Sequence, residues 1–574
     1  MKVLLTCTSI EEASRHADDV DSHYPLGLAY LHSYLEKHSD YDIQTHFLNN
    51  VDQETCFTKV KEEIETFKPD VVGISIMTFS RTSSYRMIEY ITENHPDIKI
   101  VLGGMHPTVM WRSMLKKYTN TVIVVGEGEL TFHELLQHFE EDKDIKDVQG
   151  IAYHDGEQVV KNDERDLIDD LDTLEFPKHE IFLWEGKKMA NLLTSRGCPF
   201  KCNFCVLDHI SLRKVRFRSA EDVCDEIEQI LEICPTVENI WLHDDAFMIN
   251  KKSTTALCEE IIRRGIKTSF TCSARFRPVS RDLIRLMEKA GFTHVLFGLE
   301  SAAQVIMDDM KKGITKDHIR YATSLFAETS IKTTAFLIVG LPNETQETVD
   351  ETIDFIQEMQ NNNYLFYDDI GVAMIYPGAE LYTMAKARGL EVPDYGLLDD
   401  EYWMTSLDVP YYLCENSLEQ ILEWKEEIRN AIALPRVNDP KNFLKQKKLL
   451  PSIVKYSFKF GLGGIIQGVQ ESMQKHNTFP QLIQTFFAGD PNDLIPVISK
   501  NFEKDLIGTF MQKMSMDEKK QFIVDYEEQS REDKETLKRW AESHHPAADE
   551  YVAIKKEKAH AEDTGMPDLI NIVQ

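Results

Sequence analysis

The sequence predicts an α/β chain in which a doubly wound domain precedes an incomplete parallel barrel and a mostly helical region. Three observations carry that prediction. Residues 1–140 alternate β-rich and helical segments, residues 191–375 do so again, and strand signal fades beyond about residue 400. Strands such as VVGISI (71–76) are continuously apolar, the pattern of a strand buried on both faces of a parallel sheet.

In the first series, strands are predicted over 2–5, 42–47, 71–76, 98–102 and 121–125, with helices near 26–37, 56–67, 82–94, 107–117 and 129–139. A ligand of such a domain belongs beyond the carboxyl ends of its strands. Residues 145–190 read as a connector holding a small hairpin, GIAYHDGEQVVKN, whose turn is Asp155-Gly156. The second series predicts strands over 191–195, 238–244, 267–274, 294–300, 332–339 and 369–375. Ser219, Ser280 and Thr315 stand at helix starts, and Gly291 at a helix stop. Six strand–helix units suit a partial barrel with reactive groups at the strands' carboxyl ends. Ser417 to Gln420 resembles a capping box, and residues 440–574 read as mainly helical. The implied boundaries are 1–144, 145–190, 191–400 and 401–574.

Asp and Glu number 96 against 64 Lys and Arg, a formal net charge of −32. A nucleic-acid partner needs a cationic surface to displace counterions, so that class is not expected. No run approaches about 18 consecutive apolar residues, so no membrane span is expected. The opening MKVLLTCTSI reads as a first buried strand rather than a secretion signal, which makes the cytoplasm the expected location.

Of ten cysteines, Cys198, Cys202 and Cys205 fall together in TSRGCPFKCNFC. In a reducing compartment this points to metal rather than disulfides. Three thiolates from one loop hold three irons of a four-iron cluster and leave the fourth open to a small chelating molecule. The alternative is structural zinc, which usually closes with four ligands in two spaced pairs. Its candidate fourth ligand is His209, because Cys224, Cys234, Cys258 and Cys272 stand isolated.

The triad, with Phe204 just before its last cysteine, resembles the signature of the radical S-adenosylmethionine (SAM) superfamily. WLHDDAFMIN (241–250), CSARFRP (272–278), VLFGLES (295–301), FLIVGLPNET (336–345) and YPGAELY (376–382) follow in the order seen in its cobalamin-binding branch. Ahead of the triad, YPLGLAYLHSYLEKH (24–38), SIMTFSRT (75–82), GGMHPT (103–108) and GEGE (126–129) are similar to that branch's cobalamin-binding domain. The resemblance implies a Rossmann-like cobalamin-binding domain, then a radical SAM partial barrel. It also implies three cofactors: a [4Fe-4S] cluster, S-adenosyl-L-methionine and cobalamin.

By the same resemblance, SAM meets Phe204, Glu300, Ile338 and Gly340. The corrinoid meets Leu26, Gly27, Ser75, Thr78, Gly103, Gly104, Gly126 and Glu127. Asp244 and Asp245, at a predicted strand end, are candidate catalytic residues that hold substrate or SAM, or else helix caps or residues of a solvent-facing loop. Arg275 is a third candidate, either as a bidentate partner of a carboxylate or phosphate or as a structural ion pair. His106 reads as loop-shaping or corrinoid-contacting. Asp21-Ser-His23-Tyr-Pro-Leu-Gly27 is one residue too long for the D-x-H-x-x-G motif of methionine-synthase-type domains. Cobalamin is therefore expected without His23 as its lower ligand.

The activity implied is hydrogen abstraction by a 5′-deoxyadenosyl radical followed by methyl transfer to an unactivated carbon. Radical cyclisation, rearrangement or carbon–carbon coupling without net methylation is the alternative. A corrinoid or iron–sulfur sensor is a further one, although the acidic carboxyl-terminal region offers no nucleic-acid output. Expected partners are a small-molecule, lipid or peptide substrate and a reducing donor such as flavodoxin or ferredoxin. KYSFKFGLGGIIQGVQESM (455–473) reads as buried helix and turn, or as a segment touching lipid or protein.

Overall fold

Alternating side chains along each strand give the first sheet two buried faces. In the computed structural model, which describes residues 1–9, 24–48, 51–362, 365–392 and 411–433, five parallel strands form its centre. They are β1 (Lys2–Cys7), β2 (Asp42–Phe47), β3 (Val71–Ser75), β4 (Lys99–Gly103) and β5 (Thr121–Val124). Leu4, Val72, Ile74, Ile100 and Leu102 join one core, while Val3, Leu5, Val71 and Val101 join the other. Burying one such side chain contributes roughly 1.5–3 kcal/mol, so both cores stabilise the sheet. On the face of Val3 lies α1 (Leu26–His38). The opposite face is covered by α2 (Gln53–Phe67), α3 (Arg81–Asn94) and α4 (Met105–Lys117), and α5 (Glu129–Glu140) returns to the first.

The predicted hairpin forms, as β6 (Ile151–His154) and β7 (Val159–Lys161), but it is no connector. It pairs antiparallel with β5 and extends the sheet to the order β2-β1-β3-β4-β5-β6-β7. The exposed strand edge of β5 is covered this way.

In the second sheet β8 (Met189–Leu192) stands at one edge. Thr194 and Ser195 leave it early because they start a two-stranded ribbon, β9 (Ser195–Arg196) with β10 (Arg216–Phe217). Five further parallel strands follow: β11 (Asn239–Leu242), β12 (Ser269–Ala274), β13 (Phe292–Glu300), β14 (Lys332–Val339) and β15 (Phe366–Val372). The order β15-β14-β13-β12-β11-β8 is that of an open, incomplete barrel. Outside it run α7 (Ala220–Ile233), α8 (Lys251–Arg264), α9 (Arg281–Ala290), α11 (Lys316–Phe326) and α12 (Gln346–Asn361), with α6 (Asp208–Ser211) and α10 (Gln304–Asp309) in the loops.

Ser219 and Thr315 cap their helices through their side chains, whereas Ser280 stands at the start of α9 without a side-chain cap hydrogen bond. Ser219 Oγ accepts from Asp222 N at 3.2 Å, and Thr315 and His318 cap each other. Gly291 ends α9 at φ +100°, where a Cβ would come 2.8 Å from the Thr268 carbonyl oxygen. Beyond the barrel lie α13 (Glu380–Ala387) and α14 (Leu418–Ala433).

Residues 1–425 form one compact unit. The expectations for Asp21, His23, 440–574 and 455–473 lie outside the described residues. No described helix is long and apolar enough to cross a membrane.

Within this unit, Tyr24 joins the two sheets. Its hydroxyl lies 2.9 Å from His179 Nδ1 and 3.1 Å from the Asn191 amide of β8. His179 Nε2 meets Glu226 at 2.7 Å, and Arg218 also pairs with Glu226. Glu226 is fully buried, and the Arg218 guanidinium pairs with it where an unpaired ion would cost several kcal/mol.

Candidate active site and cofactor loops

The cysteine loop is anchored where it leaves β8. Asp244 follows β11, the neighbour of β8, and its carboxylate is buried. It accepts from Thr194 N at 2.7 Å and from the hydroxyls of Thr194 and Ser195, both at 2.5 Å. Asp245 accepts from Gly197 N at 3.0 Å. Burial raises Asp244 despite the donors around it, whereas Asp245 is exposed. Gly197 sits at φ +101°, and a Cβ there would run into the Lys214 carbonyl oxygen. Only glycine fits this turn. The sequence offered Asp244 and Asp245 either to substrate or to a helix end. In the structure both carboxylates accept hydrogen bonds from the entry of the cysteine loop.

Cys198, Cys202 and Cys205 follow this turn as free thiols. Asn203 stitches the loop down: its backbone N donates to Met310 O at 3.3 Å, its Nδ2 to Asp309 O at 3.0 Å, and its carbonyl accepts from Leu381 N at 2.8 Å. Arg275, just past β12, donates to Cys202 Sγ at 3.6 Å and to the Lys312 carbonyl, with its guanidinium 3.7 Å from the Phe200 ring centroid. Neither sequence expectation for Arg275 named a thiol or a carbonyl. Burial pushes the Cys198 thiol up, with Arg275 among the groups opposing it.

Among the described residues no three His, Cys, Asp or Glu side chains converge on a single ion. A four-iron cluster engages each thiolate at a different iron, so the donor set fits a cluster without such convergence.

Beside the loop, Glu300 ends β13 at φ +64° and accepts from Lys312 Nζ at 2.8 Å. Both are buried, and Lys312 Nζ stands 5.7 Å from the Phe204 ring centroid. Cys202, Phe204, Arg275 and Glu300 are thus brought together. Lys312 completes the group, and nothing local in MKKG (310–313) signals it.

Ile338, on β14, is half-buried and pairs in register with Gly371. Gly340 differs from expectation. Its φ of +84° suits a close approach, but the space over its Cα is filled by Ile421 of α14, 3.0 Å from where a Cβ would stand. Its amide donates to Glu344 Oε2 at 2.5 Å, and Leu341 N to the same oxygen at 3.1 Å.

Burial, opposed by these amides, pushes Glu344 up to about 7. Because the folded-state value lies above the unfolded one, folding takes up a proton between them. The resulting stability, about 3 kcal/mol at most, is present below the ordinary carboxylate range and lost as pH rises through about 7. Urea unfolding of Glu344→Gln across this window is expected to lack that loss, seen as the difference from the unaltered chain.

The first sheet presents its own loops at its carboxyl ends. Gly27 in the first turn of α1, Gly103 at the end of β4 and Gly126 in the loop after β5 each have nothing within 4 Å of an added Cβ, which leaves space open to a ligand at all three. Leu26, at the start of α1, is buried beside Gly27. Ser75 ends β3. Thr78 Oγ1 lies 3.2 Å from His106 Nδ1, whose Nε2 lies 2.8 Å from the Tyr85 hydroxyl. Burial holds His106 neutral, down at about 3.

Gly104 is not open. At φ +94° it packs on β3, where a Cβ would come 2.9 Å from the Ile76 oxygen. Glu127 also departs from expectation. Arg216 forks onto its two oxygens at 2.7 and 2.8 Å, and Arg196 reaches it at 3.2 Å. Burial alone would raise this carboxyl, but the two guanidinium groups hold it below its ordinary value.

Two family models match this chain: the B12 binding domain over residues 19–136 and the radical SAM superfamily over 192–356. The chain carries a B12-binding domain followed by a radical SAM domain. It is a cobalamin-dependent radical SAM enzyme, with a [4Fe-4S] cluster, S-adenosylmethionine and cobalamin as cofactors.

An uncharacterized methyltransferase of Pyrococcus horikoshii is 29% identical over 68% of this chain and 84% of its own length. An anaerobic magnesium-protoporphyrin IX monomethyl ester cyclase of Rubrivivax gelatinosus is 35% identical over 57% of this chain, which spans 61% of the cyclase. Among solved structures, the cobalamin-dependent radical enzyme OxsB has a similar fold, with a TM-score of 0.60 at 14% identity over 100% of this chain and 82% of its own.

Proposed function

We propose that the chain abstracts hydrogen from a small-molecule substrate and methylates the carbon so exposed. When bound, the cluster supplies the electron that cleaves SAM to a 5′-deoxyadenosyl radical, and cobalamin supplies the methyl group. The observation that carries this reading is the gathering of Cys202, Phe204, Arg275 and Glu300 at the carboxyl ends of one sheet, with open glycines at those of the other.

In this reading Cys198, Cys202 and Cys205 hold the cluster, and the Arg275 cation offsets thiolate charge. Lys312 keeps Glu300 an acceptor for the amino or ribose groups of SAM, and Phe204 and Ile338 border the adenosyl group. Asp244 and Asp245 are positioning residues that fix the loop's entry. Gly340 shapes the turn that Glu344 caps. Leu26, Gly27, Ser75, Gly103 and Gly126 line the corrinoid crevice, while Thr78 and Gly104 hold its loops in shape. A thiol-based site of this kind suits the cytoplasm, with a flavodoxin or ferredoxin as electron source.

Anaerobic turnover of a small-molecule extract with methyl-labelled SAM tests the reaction class. A product heavier by one labelled methylene unit is expected, with S-adenosylhomocysteine and 5′-deoxyadenosine formed in equal amounts. The likeness to the cyclase favours a second reading, ring closure without net methylation. Hydrogen loss with no mass gain and no S-adenosylhomocysteine would decide for it.

A further inference from the structure

The ribbon β9–β10 frames the cysteine loop, and its register places Arg196 directly opposite Arg216. Like charges facing each other across an antiparallel pair repel, and burial makes the repulsion worse. The counter-charges come from the other domain. Glu127 takes the Arg216 fork and Arg196 Nη1, and Glu129 accepts from Arg196 Nη2 at 2.7 Å. The four side chains are between 6% and 15% exposed, so water screens them little. Arg216 also donates to the Ile168 carbonyl at 2.7 Å, and Arg196 lies 4.7 Å from the Tyr30 ring centroid. Glu127 adjoins the open Gly126, and Arg196 stands two residues before Cys198.

We infer that Glu127 and Glu129, clasping Arg196 and Arg216, form an ionic strap that sets the spacing between the corrinoid loop and the cysteine loop. These are positioning residues, and the inference rests on the cobalamin and cluster sites proposed above. The ribbon has two residues per strand, and Gly126 at φ +87° lacks a side chain to pack. A bidentate Arg–carboxylate pair supplies direction as well as attraction, so it fixes orientation where a lone charge would not.

The test uses the reconstituted chain and a Glu127→Gln, Glu129→Gln double variant. Iron and bound hydroxocobalamin are measured first. The distance between reduced cluster and cob(II)alamin is then read from the cluster's enhancement of cobalt spin relaxation. Unchanged iron and cobalt contents are expected, with one well-defined distance in the unaltered chain and a broadened or shifted one in the variant. Amides 195–198 and 215–217 are expected to exchange about tenfold faster or more in the variant.

Should the double variant fail to fold, Arg216→Lys gives the same readouts, since it keeps the charge and loses the fork. A lowered unfolding midpoint with an unaltered distance would make the cluster of charges merely structural and overturn the strap. If the unaltered chain takes up no hydroxocobalamin, the corrinoid reading falls instead. Hydrogen exchange then decides the strap by itself, and unchanged exchange overturns it.

Discussion

Replacing Cys202 with Ala is expected to cut bound iron from about four atoms per chain to near zero and to abolish 5′-deoxyadenosine formation, while hydroxocobalamin binding persists. Two thiolates leave two irons of the cluster without protein ligands. Cys198→Ala and Cys205→Ala are expected to do the same. Cobalamin should be spared because its proposed cradle lies on β3, β4, β5 and α1, none of which contains the loop.

The control is a buried cysteine. Cys258 is fully buried in α8, and burial pushes its thiol up to about 12, so it is an inert packing group. Cys258→Ala is expected to cost about 1 kcal/mol or more of stability through the lost packing, with iron unaffected. Iron analysis and denaturant midpoints on the four variants separate ligation from packing. Retained iron in Cys202→Ala would end the cluster assignment.

The triad was legible because its chemistry is local. Three thiols within eight residues need no folding to be recognised as a set. The strands were legible for a similar reason: VVGISI announces burial by composition alone, and β3 lies where that run places it. The ribbon β9–β10 was not, since two-residue strands carry no periodicity.

Residues whose roles depend on distant partners were misread or missed. GEGE reads as a ligand loop, but Glu127 is claimed by Arg196 and Arg216, 69 and 89 residues away. Lys312 lies only 12 residues after Glu300, but a short loop and helix fold it back. Gly340 looked open because nothing in its segment reveals that Ile421 covers it. Asp244 and Asp245 were placed at the right strand end, and only the neighbouring strand's hydroxyls and amides show what they hold.

Asp244→Ala is the other substitution with a large expected effect, about 3–5 kcal/mol of lost stability together with lost iron. The carboxylate is buried and acceptor-only, and it receives one amide and two hydroxyls from Thr194 and Ser195. Removing it leaves those donors buried without a partner, at about 1–3 kcal/mol each before relaxation, and leaves a cavity as well. Asp244→Asn keeps the volume. However, its amide turns two donor hydrogens toward a site already filled with donors, so it is expected to recover only part of the loss.

Asp245→Asn makes the informative contrast, because Asp245 answers a single amide, that of Gly197, and an amide oxygen still accepts it. A cost of about 1 kcal/mol is expected there. If the two aspartates instead served substrate, turnover would fall for both variants while unfolding midpoints and iron content stayed near those of the unaltered chain. A fall in midpoint and iron that is steep for Asp244 and slight for Asp245 follows only if the pair anchors the loop, because only then does the effect track the number of donors each carboxylate satisfies.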